Sequence, residues 1–170
     1  VFIMVGNRDF LMGQQFANDS HCKILPDPTV INLYGQSVLL MHGDSLCTSD
    51  TEYMAFRAQI RNPDMQQMLL SKSLDERRGI AKMLREKSQS ANATKASDIM
   101  DVTPSEVIKA LCDHNVDIMI HGHTHRPQVH SLVRDTENQT EAKRYVLGDW
   151  DSQGWCITAS KEDSSLAPLL

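Results

Sequence analysis

The chain has 170 residues, of which 41% are hydrophobic and 5% aromatic, and its formal net charge at pH 7 is −5. This length is enough for one domain with its own core, while the acidic balance and scarce aromatics argue against general nucleic-acid binding. No apolar run is long enough to span a bilayer. The four cysteines are scattered without a Cys-x-x-Cys pair, which predicts free thiols in a reducing compartment.

The first predicted element is an apolar strand, Phe2 to Val5, which we expect to be buried. It runs into Gly6-Asn7-Arg8-Asp9 with no residues leading into it, so we expect the natural N-terminus to lie upstream. Asn favours turns, and this loop is compatible with a simple turn before a helix. The alternative is a site in which the amide oxygen of Asn7 binds a metal and Arg8 binds phosphate.

A β-hairpin is predicted next, from Thr29 to Tyr34 and from Ser37 to Met41, joined by Gly35-Gln36. Its second strand is apolar on both faces, which places it at the centre of a sheet. That strand ends in His42-Gly43-Asp44. The pattern of the first strand is therefore repeated, since an apolar run again stops at Gly beside Asn or His.

A helix is predicted after this strand. Ser49 and Glu52 fit a capping box at its start. Asp50 lies between them, and its position is explained at least as well by the helix dipole as by a role in a site.

Residues 64 to about 90 differ from the rest of the chain. They carry Met and Leu at helical spacing, and positions 72 to 95 contain seven Lys or Arg against three Asp or Glu. This pattern favours either a surface for anionic lipid or a helical pair packed on the core with a solvated basic face. Ser88 to Ser97 is small and polar, and we expect a loop that returns to the core.

Thr103-Pro104-Ser105-Glu106 is typical of a helix start. The helix leads into the predicted strand Val116 to Ile120, whose apolar run Ile118-Met119-Ile120 predicts a buried parallel strand. The strand stops at Gly122-His123-Thr124-His125. Histidines two residues apart in an extended segment face the same side, and neutral imidazole is the commonest metal ligand in proteins. Further strands are predicted up to Thr158, followed by a loose tail.

Ligands in open α/β sheets bind beyond the carboxyl ends of the strands. We therefore expect the three strand ends to converge on one site with the donors Asn7, His42, His123 and His125. Amide oxygen and imidazole without thiolate argue against structural zinc and suit Mn, Fe or catalytic Zn. Such sites often hold two metals, for which four ligands are too few. The missing carboxylates would come from upstream or from residues such as Asp44 and Asp149.

In chain order, Gly6-Asn7-Arg8-Asp9, His42-Gly43-Asp44 and Gly122-His123-Thr124-His125 resemble the later motifs of calcineurin-like metallophosphoesterases. The longer strings that contain them, together with the basic insert, look like those of bacterial UDP-2,3-diacylglucosamine diphosphatases. The resemblance implies an α/β fold, the calcineurin-like metallophosphoesterase sandwich of two β-sheets flanked by helices. Residues 1–170 would be the C-terminal portion of one such domain, with its N-terminal part missing and a helical lid insert at about 64–97.

The resemblance also implies an activity, namely hydrolysis of the pyrophosphate bond of UDP-2,3-diacylglucosamine to UMP and 2,3-diacylglucosamine 1-phosphate in lipid A biosynthesis. Water would attack the α-phosphorus at a centre of two Mn²⁺ ions. The protein would be peripheral on the cytoplasmic face of the bacterial inner membrane, with no nucleic acid and no protein partner. The implied metal ligands are Asn7, His42, His123 and His125. The implied substrate contacts are Asn7, Arg8, Asp50, Ser88, Asn92, Lys95 and His123.

The chain departs from the family in one respect. In the family, Asp-x-His and Gly-Asp-x-x-Glu motifs precede Gly-Asn-Arg-Asp, and in this sequence neither motif precedes it. We therefore expect these 170 residues alone to be inactive or nearly so. Two alternatives stay open, a calcineurin-like phosphodiesterase for a soluble nucleotide and a lipid-binding remnant without catalysis.

Overall fold

The structure is a computed structural model that describes residues 1–92, 99–151 and 153–169, the side chain of Asn92 excepted. Within these ranges it is a mixed α/β arrangement with several sheets. The helices are α1 Gln14–Asp19, α2 Thr51–Ile60, α3 Pro63–Leu70, α4 Leu74–Asn92 and α5 Pro104–Asp113. The strands are β1 Phe2–Met4, β2 Lys23–Leu25, β3 Thr29–Leu33, β4 Gln36–Met41, β5 Ile118–His121, β6 Gln128–Asp135, β7 Thr140–Val146, β8 Gly154–Ala159 and β9 Ser164–Leu169.

The largest sheet in the described residues has the strand order β3-β4-β5-β7-β6. Its three inner strands, β4, β5 and β7, are parallel, and the two outer strands run antiparallel to their neighbours. Met41 pairs with His121, and His121 pairs with Val146. The carboxyl ends of the inner strands therefore lie side by side. Of the three strand ends predicted to converge, those of β4 and β5 are neighbours in this sheet, whereas β1 belongs to a separate two-stranded sheet.

The predicted hairpin is confirmed as β3 and β4, with a turn shifted by one residue. The turn residues are Tyr34 and Gly35, whose φ angles are 52° and 95°. Two consecutive positive φ angles are what a two-residue hairpin turn requires. The sequence prediction had assigned the turn to Gly35-Gln36, but Gln36 already pairs with Leu33.

The core is formed between the large sheet and α5. Leu39 on β4, Met119 on β5 and Leu111 on α5 have no exposed surface. Val107, one turn before Leu111, is also buried, so the two side chains form the face of this helix that packs on the sheet. Thr103 occupies the N-cap position, but its hydroxyl bonds to Thr48 and Ser49 rather than to the helix.

Two smaller sheets correct the sequence predictions. β1 is a strand, as expected, but it pairs in parallel with β2 in a two-stranded sheet, and Phe2 is 64% exposed rather than buried. The predicted loose tail is wrong, because β9 pairs with β8 in an antiparallel ladder from Gly154↔Leu169 to Ala159↔Ser164. That ladder satisfies backbone groups that a loose tail would leave to water.

Two helix predictions also need correction. The N-cap of α2 is Asp50, whose side chain accepts a 3.0 Å hydrogen bond from the Tyr53 backbone N–H, and not Ser49. Residues 88 to 92 belong to α4 rather than to a loop, since each residue added to an existing helix gains a hydrogen bond. Residues 93–97 of the predicted loop lie outside the described residues. None of the helices in the described part of the chain has the length and apolarity needed to cross a membrane.

Candidate metal centre

Three of the four predicted metal ligands come together at the carboxyl edge of the strands. Asn7 follows β1, His42 follows β4 and His123 lies two residues after β5. The Oδ1 atom of Asn7 is 3.3 Å from Nε2 of His42. The rings of His42 and His123 meet edge to face, with 5.1 Å between their centroids.

Glycines allow the strand ends to approach each other this closely. A Cβ atom on Gly6 would lie 2.7 Å from Cε1 of His42, so the histidine ring occupies the space that a larger residue would need. A Cβ atom on Gly43, where φ is 106°, would lie 2.7 Å from Nδ1 of His121. The backbone N–H of Gly122 donates a 3.1 Å hydrogen bond to the carbonyl of His42, which joins the ends of β4 and β5 directly.

Burial favours the neutral form of both His42 and His123. Burial, and after it the neighbouring His42, lowers the pKa of His123 to about 4. Burial also lowers the pKa of His42, against the opposing effect of Asp44. A metal ligand must offer an unprotonated nitrogen, so these rings need to release no proton before they bind a cation at neutral pH.

The chemistry of the donor atoms fits a metal ion. Nε2 of His42 lies 3.4 Å from the backbone N–H of Asn7, which donates to it in the tautomer protonated on Nδ1. In that tautomer the Asn7 Oδ1 atom, itself an acceptor, faces a second acceptor 3.3 Å away. Nε2 has a single in-plane lone pair, so a cation bound there would replace the Asn7 N–H and would also attract Oδ1; mixed nitrogen and oxygen donors of this kind suit Mn²⁺.

His125 takes a different position. Its Nδ1 atom lies 3.6 Å from Oδ2 of Asp149, and both side chains are about half exposed. It remains near enough to His123 to lower the pKa of that ring. Among the described residues, no group of three or more His, Cys, Asp or Glu side chains is arranged to hold a metal ion. Asp149 is the carboxylate beside the His125 ring, and Oδ1 of Asp27 accepts a 3.2 Å hydrogen bond from the His42 backbone N–H.

A buried ionic cluster supports the site from α2. Asp44 has no exposed surface, and its Oδ2 atom lies 3.1 Å from Nε of Arg57 and 3.6 Å from Nη2 of Arg61. The Tyr53 hydroxyl donates a 3.0 Å hydrogen bond to the same oxygen. Burial alone would raise the pKa of Asp44, but the arginine charge, His42 and the hydrogen bonds outweigh it and hold this pKa below its ordinary value.

This cluster connects to the candidate metal ligands through Tyr53, whose ring lies 5.3 Å from that of His123. Sequence analysis missed this role of Tyr53, Arg57 and Arg61. A signal was present, because the three residues are spaced by four and therefore share one face of a helix.

The predicted substrate contacts are more dispersed. Arg8 is exposed beside Asn7, and Ser88 is exposed on α4. Asp50 is 8% exposed and caps α2. This position agrees with the interpretation of Asp50 as a residue that stabilises the start of a helix. Lys95 and the side chain of Asn92 lie outside the described residues.

Comparison with known proteins identifies close relatives. The chain is 54% identical over 161 residues to a UDP-2,3-diacylglucosamine hydrolase of Marinobacter nauticus, covering 95% of the chain and 65% of that protein. It is 52% identical to the enzyme of that name from Cellvibrio japonicus, with 94% and 65% coverage. For the one from Pseudomonas paraeruginosa the identity is 49%, over 99% of the chain and 69% of the relative.

No family model matches the chain. The chain spans 65% of the length of the Marinobacter and Cellvibrio relatives, and these matches run along nearly all of its own residues. Identity near 50% over such a length cannot arise from a shared motif alone. The chain therefore belongs to the UDP-2,3-diacylglucosamine hydrolase family.

Proposed function

We propose that this chain supplies part of a site that hydrolyses UDP-2,3-diacylglucosamine to UMP and 2,3-diacylglucosamine 1-phosphate, a step of lipid A biosynthesis. The observation that carries the proposal is the convergence of Asn7, which follows β1, with His42 and His123 at the carboxyl ends of β4 and β5. The names of the curated relatives support the choice of substrate. The chain spans only part of those relatives, and further carboxylate ligands are needed to complete a centre with two metals.

In this proposal Asn7, His42, His123 and His125 hold Mn²⁺. A bound metal pair would supply an activated water and neutralise charge on the phosphate. The chain itself provides neutral imidazoles at His42 and His123, so protons do not compete for the metal at pH 7. Asp149, 3.6 Å from Nδ1 of His125, favours the tautomer protonated on that nitrogen and leaves the lone pair on Nε2.

Other residues of the proposed site bind the rest of the substrate. Arg8 is exposed next to Asn7, where its guanidinium can donate two parallel hydrogen bonds to a phosphate group. Asp50, Ser88, Asn92 and Lys95 are proposed as further substrate contacts. The α3 and α4 helices, in the segment 64–97, are proposed as the lid that holds the acyl chains.

The decisive experiment measures Mn²⁺-dependent release of UMP from UDP-2,3-diacylglucosamine. Two proteins are compared, the 170-residue chain and the same chain joined to the part of the Marinobacter relative that it does not match. We expect activity in the joined protein and little or none in the chain alone. Replacing His123 with Gln in the joined protein should abolish the activity. UMP release that is independent of His123, or release only from a lipid-free UDP-sugar, would contradict the proposal.

A second candidate function is lipid binding without hydrolysis. The α3 and α4 helices and the turn between them expose Leu70, Leu74 and Met83 to 50%, 62% and 58%. These apolar side chains occur in a segment rich in Lys and Arg, a composition that favours a surface containing anionic lipid. Both candidates place the protein on the cytoplasmic face of the inner membrane as a peripheral protein.

Flotation with vesicles tests the lipid surface. We expect the chain to bind vesicles that contain anionic phospholipid, and to bind less as salt is raised. Replacing both Leu74 and Met83 with Gln should weaken the partition at least tenfold, since each buried side chain contributes about 1.5–3 kcal/mol. Replacing Val30, which is 43% exposed on β3, is the matched control and should have no effect. Binding that these changes leave intact would show that α4 is not the membrane surface.

A further inference from the structure

The candidate ligand His125 is followed directly by Arg126, which forms an ion pair with Asp101, a residue distant in the chain. Nη1 of Arg126 donates a 3.0 Å hydrogen bond to Oδ2 of Asp101. The other carboxylate oxygen of Asp101 lies 4.0 Å from Nη1 of Arg144, a residue of β7 that is only 8% exposed. Asp101 thus lies between Arg126, which follows the histidines, and the nearly buried Arg144 of the large sheet.

The segment Gly122–Arg126, termed here the histidine loop, has an unusual backbone. His123 and His125 have φ angles of 67° and 56°, in the left-handed region that residues with a side chain rarely adopt. Such conformations persist where the surroundings hold them in place. Within the loop, Thr124 N–H donates a 2.8 Å hydrogen bond to the carbonyl of Gly122. Beyond that bond, the ion pair of Arg126 with Asp101 ties the end of the loop to another element.

Asp101 is itself well anchored. Its side chain accepts a 2.7 Å hydrogen bond from the Val102 backbone N–H. Two residues later, the Thr103 N–H donates a 2.8 Å bond to the carbonyl of Leu46, four residues after His42 in the segment that follows β4. The segment from Asp101 to Thr103 therefore contacts the chain beyond β4 through Leu46 and the chain beyond β5 through Arg126.

We propose that Asp101 is a positioning residue for the histidine loop and acts through Arg126 to hold His123 and His125 in place for a metal. The metal part of this inference rests on the proposed function, whereas the conformational part does not. Asp101 precedes α5 and follows the proposed lid segment in the chain. The segment that precedes α5 and the histidine loop are accordingly joined by an ion pair that neither the strand pattern nor the histidine motif predicts.

The test compares Asp101→Asn with a matched control, Asp117→Asn, in the 170-residue chain. Asp117 also pairs with an arginine, with 2.9 Å between its Oδ1 atom and Nε of Arg134, but it precedes β5 at the end opposite the histidines. NMR spectra of the backbone amides and the histidine imidazoles are recorded without metal and during titration with MnCl₂. We expect Asp101→Asn to shift the amide resonances of residues 123–126 and to raise the Mn²⁺ concentration for half-maximal broadening of His123 and His125 about tenfold. Asp117→Asn should do neither.

Further variants separate positioning from general destabilisation. Asp101→Glu should restore most of the Mn²⁺ response, and combining Asp101→Asn with Arg126→Gln should add little to either single change. If the wild-type chain does not respond to Mn²⁺, the proposed metal site fails, while shifted loop resonances in Asp101→Asn would still support the conformational part. Loop resonances and Mn²⁺ response that stay unchanged in both Asp101→Asn and Arg126→Gln would overturn the inference. Should Asp101→Asn not fold, Arg126→Gln alone gives the same comparison, because that side chain is 40% exposed.

Discussion

The Tyr53 hydroxyl donates a 3.0 Å hydrogen bond to Asp44, a carboxylate with no exposed surface. The ring of the same tyrosine lies 5.3 Å from that of His123. One side chain of α2 therefore connects the buried ionic cluster with a candidate metal ligand. The two contacts of Tyr53 can be tested separately, because its replacement by Phe keeps the ring and removes the hydroxyl.

We predict that Tyr53→Phe lowers the free energy of unfolding by about 1–3 kcal/mol, since it removes a hydrogen bond to a buried charge. The ring contact with His123 should remain, so the His123 imidazole resonances should change little. Urea unfolding and imidazole NMR measure the two effects. Tyr34→Phe is the control. Tyr34 is 61% exposed, so loss of its hydroxyl should change the free energy of unfolding by less than about 0.5 kcal/mol. Equal effects of the two substitutions would contradict the role of Tyr53.

A second prediction concerns Gly6. In Gly6→Ala the new methyl group would lie 2.7 Å from the His42 ring, so the ring must move away from Asn7. We expect the Mn²⁺ concentration needed to broaden the His42 imidazole resonance to rise about tenfold or more. Gly13→Ala is the matched control, since a Cβ atom there would have no neighbour within 4 Å. Unchanged Mn²⁺ binding in Gly6→Ala would show that the His42 ring position is not critical.

The buried histidines predict how stability depends on pH. Burial lowers the pKa of His121 to about 4, well below the value of 6.5 expected in the unfolded chain. The unfolded state therefore binds more protons between pH 6.5 and 4, and stability is complete above 6.5 and falls as the pH drops through this window. The decrease for one such group is at most about 1.4 kcal/mol per pH unit.

His123 contributes with the same sign, because its pKa is lowered to a similar value. Urea unfolding at pH 7.5, 6 and 5 should therefore show a steady loss of stability on acidification. An NMR titration of the His121 imidazole gives the matching pKa directly. A pKa near 6.5 for His121, or stability that is constant over this range, would contradict the prediction.

The cysteines give a simple test of packing. Cys47 is 2% exposed, and burial raises its pKa to about 12, whereas Cys112 is exposed. A thiol-specific reagent at pH 8 should label Cys112 within minutes and Cys47 only after unfolding, since the thiolate is the reactive form. Peptide mass spectrometry of the labelled chain locates the modified residues. Rapid labelling of Cys47 under native conditions would mean that the region around Asp44 is open.

The strand ends could be predicted from the sequence because their signal is local. Apolar runs of three or four residues end close to a glycine beside Asn7, His42 and His123, and parallel neighbours in one sheet have their carboxyl ends at one edge. The pairing of β4, β5 and β7 then places two of these side chains as expected. The same reasoning could not separate His125 from the others, because its position depends on the φ angles of the loop.

Features determined by distant contacts were missed. The ion pair of Asp101 with Arg126 joins residues that are 25 positions apart, and no periodicity relates them. The choice of Asp50 over Ser49 as the helix cap depends on Thr103, whose hydroxyl contacts Ser49. β9 was missed for a similar reason, as its pairing with β8 is not visible in the composition of the tail.

The parallel arrangement of β4 and β5 has a kinetic consequence. Parallel neighbours need a long crossover, and here the chain passes through α2, α3, α4 and α5 between them. His42 and His123 therefore meet only after that long stretch has been closed into a loop, which makes their pairing a slow, late event in folding. A probe that detects the His42–His123 contact would report completion of the native topology rather than early collapse.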